Sequence, residues 1–195
     1  MNTVIVNNLI YDSRVKNSDN LKLMLESYHT LECAIGTAFS NKSTEIHNNI
    51  PSRLLKFIVT LKQIRKNYKV NKFLDIGCGT GVKCWIAKKL GFDAHGIDLN
   101  ANYCEIAKQM DVNVKCVNAF EFDGYNEFDL IYWYLPLRKP EQEIELEKKI
   151  FTEAKDSAIL FPASNWVPFQ NSEDLGWGSK ELKDVKIFFK SRYHQ

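Results

Sequence analysis

The rhythm of apolar and polar positions changes near residue 70. From there, short apolar runs alternate with stretches of helical spacing. Lys72–Ile76 (KFLDI) predicts a strand, and Val82–Leu90 (VKCWIAKKL) spaces its apolar residues for a helix. Asp93–Leu99 is strand-like, Ala101–Met110 helical, and Val112–Ala119 alternates as a strand. Phe128–Leu135 is a β-branched and aromatic run, and Pro140–Lys155 reads as a helix, rich in Glu near its start and Lys near its end. Ser157–Phe161 and Val185–Lys190 are the last predicted strands. Strands separated by helices of this length predict an α/β fold, a doubly wound and mostly parallel sheet with helices on both faces.

The first seventy residues read differently. Leu21–Thr37 and Ser52–Tyr68 have helical spacing, the second opened by Pro51-Ser52, with the polar loop SNKSTEIHNN between them. The region lacks strand signals, so the expected division is a helical segment or cap over 1–69 and a sheet domain over 70–195. The stretch from Pro162 to Asp184 is rich in Trp, Gly and Ser and yields no assignment.

Composition narrows the class. A chain of 195 residues with 45% hydrophobic content supports one compact core, and its charge is too balanced for a disordered segment. No run approaches the roughly 18 apolar residues of a membrane span. The start, MNTVIVNNLIYDSR, has neither a basic region nor a long apolar one, so no signal peptide is read there and a cytoplasmic protein is expected. Five scattered cysteines without a CxxC pair point to reduced thiols rather than a disulfide framework or zinc site. The four histidines show no ligand spacing, and no metal is expected. The net charge of +2 is unevenly spread, +6 over residues 1–72 and −4 over the rest. The basic stretch Lys62–Lys72 (KQIRKNYKVNK) can attract a polyanion, though a solvated helix end has the same composition.

In a doubly wound sheet the ligand lies outside the carboxyl ends of the strands. The first strand–turn–helix holds FLDIGCGTG, with Asp75, Gly77, Gly79 and Gly81 directly before a helix. A P-loop would need GxxxxGK[ST], which is absent. A dinucleotide fold would want GxGxxG, whereas here the spacing is GxGxG. An acid two residues before the first glycine would also repel a pyrophosphate. The pattern suits a cationic adenosyl ligand: glycines admit close backbone approach, Asp75 can answer an ammonium group, and Asp98 in HGIDLN can accept both ribose hydroxyls.

FLDIGCGTG followed by HGIDLN resembles the first two motifs of the class I S-adenosylmethionine-dependent methyltransferases, over about residues 70 to 160. The resemblance implies a seven-stranded sheet with one antiparallel strand near the end, which VKIFFK can supply, and S-adenosyl-L-methionine as cofactor. It implies that Asp75, Gly77, Cys78, Gly79 and Gly81 line the methionine and ribose, that Asp98 holds the ribose and that Leu99 packs on the adenine. In CVNAFEF, it implies that Asn118 and Ala119 touch the adenine edge, although the family often carries an acid at the place of Asn118.

The fourth strand decides chemistry in that family. Enzymes that methylate amide or exocyclic nitrogens often carry [DNS]-Pro-Pro-[Tyr/Phe/Trp] at its end, where this chain has Tyr134-Leu135-Pro136-Leu137. The polar acceptor and the stacking ring of that motif are both missing, so methylation of DNA adenine or peptide glutamine by that route is not expected. Tyr134 is the candidate for substrate contact, on the same strand face as Tyr132 and opposite Trp133. His47, before the second predicted helix, is the candidate base.

The expected function is therefore methyl transfer to an unidentified acceptor, with a small molecule or protein side chain favoured over nucleic acid. The alternatives are a non-catalytic module binding the cofactor or its product, and aminopropyl transfer, which would want acids at the fourth strand. A groove with the Lys62–Lys72 patch on its rim would point to a polymer, and a closed hole to a small molecule.

Overall fold

The computed structural model describes residues 51–134, 136, 137, 139–163, 172–182 and 185–190, together with five helical residues, Asp19, Lys22, Leu23, Glu26 and Thr30. Helix α1 (Pro51–Asn67) leads into β1 (Lys72–Ile76), followed by α2 (Val82–Lys89), β2 (Asp93–Asp98), α3 (Ala101–Gln109) and β3 (Asn113–Cys116). A short 3-10 turn at Tyr125–Glu127 precedes β4 (Leu130–Trp133), α4 (Pro140–Glu153), β5 (Ile159–Pro162), β6 (Gly178–Leu182) and β7 (Val185–Phe189).

The seven strands form one sheet in the order β3-β2-β1-β4-β5-β7-β6. The first five pair in parallel, and β7 runs antiparallel to both β5 and β6. The strand order reverses between β1 and β4, which is where a doubly wound sheet opens a crevice for its ligand.

Two cores sandwich the sheet. On one face α1, α2 and α3 cover Phe73, Leu130, Tyr132 and Phe161. On the other, α4 and the loops before β4 and β6 cover Leu74, Ile76, Ile131, Trp133 and Leu160. This is the alternation of a strand buried on both sides, which is why these strands read as continuous apolar runs. Helix α1 shares the first core directly. Its Leu54, Leu55, Phe57, Ile58, Leu61 and Ile64 are all buried, and the Phe57 ring meets Tyr132 edge-on at 4.8 Å. Leu23 packs against the same core.

The expected antiparallel strand is β7. Strand β6 lies in the stretch that gave no assignment. Its GSKEL is exposed at four of five positions because it is a sheet edge, held by pairing with β7 rather than by an apolar pattern. Strands β3 and β4 are shorter than their apolar runs. Val117, Ala119 and Phe120 continue to pack against the core after pairing with β2 has ended.

Candidate active site

Four turns meet at the carboxyl edge of the sheet. The glycine loop leaves β1, and its Gly77 and Cys78 N–H groups both donate to Ile97 O on β2, at 2.9 and 3.0 Å. The Asp98–Asn100 turn leaves β2, and Asn100 caps α3 by accepting from the Asn102 N–H (3.0 Å) and the Tyr103 N–H (3.4 Å). Cys116 ends β3 in register with Asp98, and Trp133 ends β4 in register with Ile76.

Asp98 ties two of these turns together. Its Oδ2 accepts from the Gly79 N–H at 2.8 Å and its Oδ1 from the Asn100 N–H at 2.8 Å. Each oxygen keeps a lone pair for a further donor. Next to it Leu99 is 71% exposed, so core packing does not account for that side chain. Asn118 and Ala119 follow β3 at the same edge. The Asn118 Oδ1 accepts from the Phe120 N–H (3.1 Å), and the Ala119 carbonyl accepts from the Tyr125 hydroxyl (2.7 Å).

The three loop glycines all have positive φ but meet different surroundings. A Cβ on Gly77 would stand 2.6 Å from the Pro136 Cβ, and one on Gly81 would stand 2.9 Å from the Ala107 Cβ. Those two glycines therefore admit protein, the loop after β4 and helix α3 respectively. A Cβ on Gly79 would meet nothing within 4 Å. Among the described residues that face of Gly79 is open.

Asp75 is 1% exposed, and its Oδ2 has the Cys84 thiol at 3.9 Å. Burial pushes its carboxyl up to about 7, against the pull of the nearby Lys83 ammonium and with a further push from Asp98. Lys83 also lies over the Tyr132 ring, 5.5 Å from its centroid. The sequence did not mark Lys83, because in VKCWIAKKL it looks like any lysine on an amphipathic helix. Its place in the first turn of α2, beside the buried acid, is what distinguishes it.

The folded chain holds a proton on Asp75 that the unfolded chain releases near the ordinary value of 3.8. The contribution of this group to stability is thus greatest below about pH 4, falls as the pH rises towards 7 and is constant above it. Asp75→Asn removes that loss. Urea unfolding from pH 4 to 8 is expected to show the variant gaining on the parent as pH rises, and a constant difference would disprove the burial argument.

Tyr134 is half-buried just past β4 and packs against the first core, on the Tyr132 side and opposite Trp133 as the alternation predicts. Trp133 is wholly buried, its indole N–H donating to the buried Glu147 Oε1 at 3.1 Å. Glu143, unmarked in the sequence, accepts from the Leu137 N–H at 2.6 Å and so anchors the loop that carries Pro136 onto Gly77. Burial raises its carboxyl above the ordinary value. The candidate base, His47, lies outside the described residues.

The Lys62–Lys72 patch occupies the end of α1 and the start of β1, where Arg65 lies over the Phe92 ring. The glycine loop leaves the other end of that strand, about 15 Å away for five residues of β structure. The patch is therefore not on the rim of the site. Among the described residues no cluster of three or more His, Cys, Asp or Glu is disposed to hold a metal, and no helix is long and apolar enough to cross a membrane.

This strand order, with an acid-and-glycine loop at the carboxyl edge and a second acid closing the neighbouring strand, is that of the class I, Rossmann-like methyltransferase fold. Residues 74–138, from β1 to the loop after β4, match the family described as a methyltransferase domain. The chain accordingly carries a methyltransferase domain over that segment, which is about a third of its length. Solved structures of the same fold include the PH0226 protein of Pyrococcus horikoshii OT3, at 13% identity and a TM-score of 0.56, covering 74% of this chain and 92% of that one. A TehB-like SAM-dependent methyltransferase of Corynebacterium glutamicum is 17% identical, with a TM-score of 0.55 over 85% of this chain and 97% of the other. The magnesium protoporphyrin IX methyltransferase of Synechocystis PCC 6803, solved with bound SAM, is 10% identical, with a TM-score of 0.54 over 81% and 90%. No curated protein matches the sequence.

Proposed function

We propose that the chain transfers the methyl group of S-adenosylmethionine to a small molecule or a protein side chain, seating the donor along the carboxyl edge from Asp75 to Asn118. The observation that carries the seat is the pairing of Asp98 with Gly79: one carboxylate fixes the loop's N–H while the bare face of Gly79 stays open. Asp98 would receive the ribose hydroxyls, the exposed Leu99 would lie against the adenine, and Asn118 and Ala119 would border its edge. Gly77, Cys78 and Gly81 would shape the loop around the methionine end, with Asp75 facing the ammonium group.

The donor, when bound, supplies an electrophilic sulfonium methyl. The protein's part is to align a nucleophile about 3 Å from that carbon and exclude water, so proximity and orientation supply much of the rate. Tyr134, at the exit of β4 where the acceptor would enter, is the proposed contact for it. His47 remains the proposed base. The proposed division is a helical segment over 1–69, whose α1 packs into the first core of the sheet, and a cofactor domain over 70–195.

Two features support a compact acceptor over nucleic acid. The basic patch stands at the far end of β1, and the end of β4 has Tyr134 where base-methylating enzymes often have an acid, amide or serine.

The test is calorimetric titration with S-adenosylmethionine and S-adenosylhomocysteine, followed by assay of S-adenosylhomocysteine release over small-molecule, protein and nucleic-acid acceptors. Micromolar binding with turnover on one of the first two classes is expected, and turnover on nucleic acid alone would overturn the acceptor reading. Because Asp75 must be ionised to meet an ammonium group, affinity is expected to rise as the pH rises through about 7. Asp75→Asn is expected to flatten that profile.

A further inference from the structure

Cys104 and Cys116 come together behind the Asp98–Asn100 turn. Cys104 sits in the second turn of α3, 2% exposed, with its thiol 3.5 Å from Asp98 O. Cys116, the last residue of β3, is exposed, and its thiol is 3.7 Å from Leu99 O. The two thiols approach the turn from different elements, Cys104 from α3 and Cys116 from β3. They thus hang from consecutive carbonyls of the turn that carries the proposed ribose-binding carboxylate. Among the described residues the other thiol pair, Cys78 and Cys84, converges on the bare Gly96 and has no exposed member.

We propose that Cys104 and Cys116 form a reversible disulfide that lowers the affinity of the cofactor site, an inference that rests on the assignment of that site to Asp98 and its neighbours. The two thiols have unequal parts. Burial, followed by the hydrogen bond with Cys116, pushes the Cys104 thiol up to about 12, so it does not start the exchange. Cys116 does. Its thiolate attacks one sulfur of a small disulfide of the glutathione type, forming a mixed disulfide and expelling one thiolate, which takes up a proton.

The neighbouring thiol that helped to hold the Cys104 proton is then gone. Cys104 gives up its proton and attacks the Cys116 sulfur, closing the protein disulfide and releasing the second small thiol. Two protein thiols are oxidised by two electrons, and one small disulfide is reduced to two thiols.

Closure brings the sulfurs to about 2.05 Å of each other. It also removes both S–H donors from Asp98 O and Leu99 O. The turn that presents Asp98 and Leu99 thereby loses two of the contacts that hold it.

The experiment uses the full chain, reduced or treated with oxidised glutathione, with intact-mass analysis and titration of S-adenosylhomocysteine on each form. Oxidation is expected to remove two hydrogens, to map to Cys104 and Cys116, and to weaken binding about tenfold, the loss of one or two weak hydrogen bonds. Dithiothreitol is expected to restore it. Cys116→Ser, at an exposed position and still a donor, is expected to bind as the reduced parent does and to ignore the oxidant. A stable glutathione adduct without closure, pairing of other cysteines, or a closed disulfide with unchanged affinity would overturn the proposal. A reduced chain that fails to bind S-adenosylhomocysteine would count against the cofactor site instead, and the mass analysis would then still decide whether the pair closes.

Discussion

Asp98→Ala is expected to weaken S-adenosylhomocysteine binding at least about 100-fold. The carboxylate already spends one lone pair of each oxygen on the N–H groups of Gly79 and Asn100, both at 2.8 Å. Its remaining lone pairs would take the two ribose hydroxyls. Hydrogen bonds to a charged group contribute about 1.5–3 kcal/mol each, and every 1.4 kcal/mol is about tenfold in affinity. Losing both therefore exceeds 100-fold before any slackening of the glycine loop is counted. Asp98→Asn keeps one acceptor oxygen but turns a donor towards an N–H, so it is expected to fall between the parent and the alanine variant. Calorimetry on the three proteins checks the order, and equal affinities would remove Asp98 from the site.

Gly77→Ala and Gly79→Ala should fail in different ways. Both glycines have positive φ, at +68° and +55°, which costs a side chain roughly 1–2 kcal/mol. At Gly77 the new methyl also meets Pro136 at 2.6 Å, and overpacking of this kind costs typically about 1–3 kcal/mol more. Gly77→Ala is thus expected to lower folding stability by about 2–5 kcal/mol by those two costs. Gly79→Ala should cost only the backbone strain, because its methyl enters open space. That space is where the donor is proposed to lie, so Gly79→Ala should lose ligand affinity out of proportion to its stability. Urea unfolding and calorimetry on the same samples separate the two effects. Equal stability losses would mean that Pro136 yields, and unimpaired binding by Gly79→Ala would mean that the seat lies elsewhere.

The parts of this site that the sequence revealed are the ones built from short stretches of backbone. Asp75, the three glycines and Asp98 occupy two strand ends whose apolar runs are unmistakable, so their place at the carboxyl edge followed from the pattern alone. What stayed hidden depends on contacts between distant segments. Nothing in YLPL tells that Pro136 lies on Gly77, or that Glu143 reaches back to the Leu137 N–H. Lys83 was concealed for a related reason, since a helix bearing three lysines gives no sign of which one turns inward. The ends of β3 and β4 were overrun because the apolar rhythm records burial, and burial outlasts strand pairing at Val117 and Tyr134. Strand β6 went unseen in the opposite sense, a paired strand with almost no buried residues. Composition likewise concealed where the Lys62–Lys72 patch lies, and only the direction of β1 removes it from the site.

The most direct test of the account is a crystal structure of the chain with S-adenosylhomocysteine. The account predicts the ligand across the carboxyl ends of β1, β2 and β3, both ribose hydroxyls on the Asp98 carboxylate, the chain passing over the bare face of Gly79 and the adenine against Leu99. A ligand bound elsewhere, or one whose ribose makes no contact with Asp98, would contradict it.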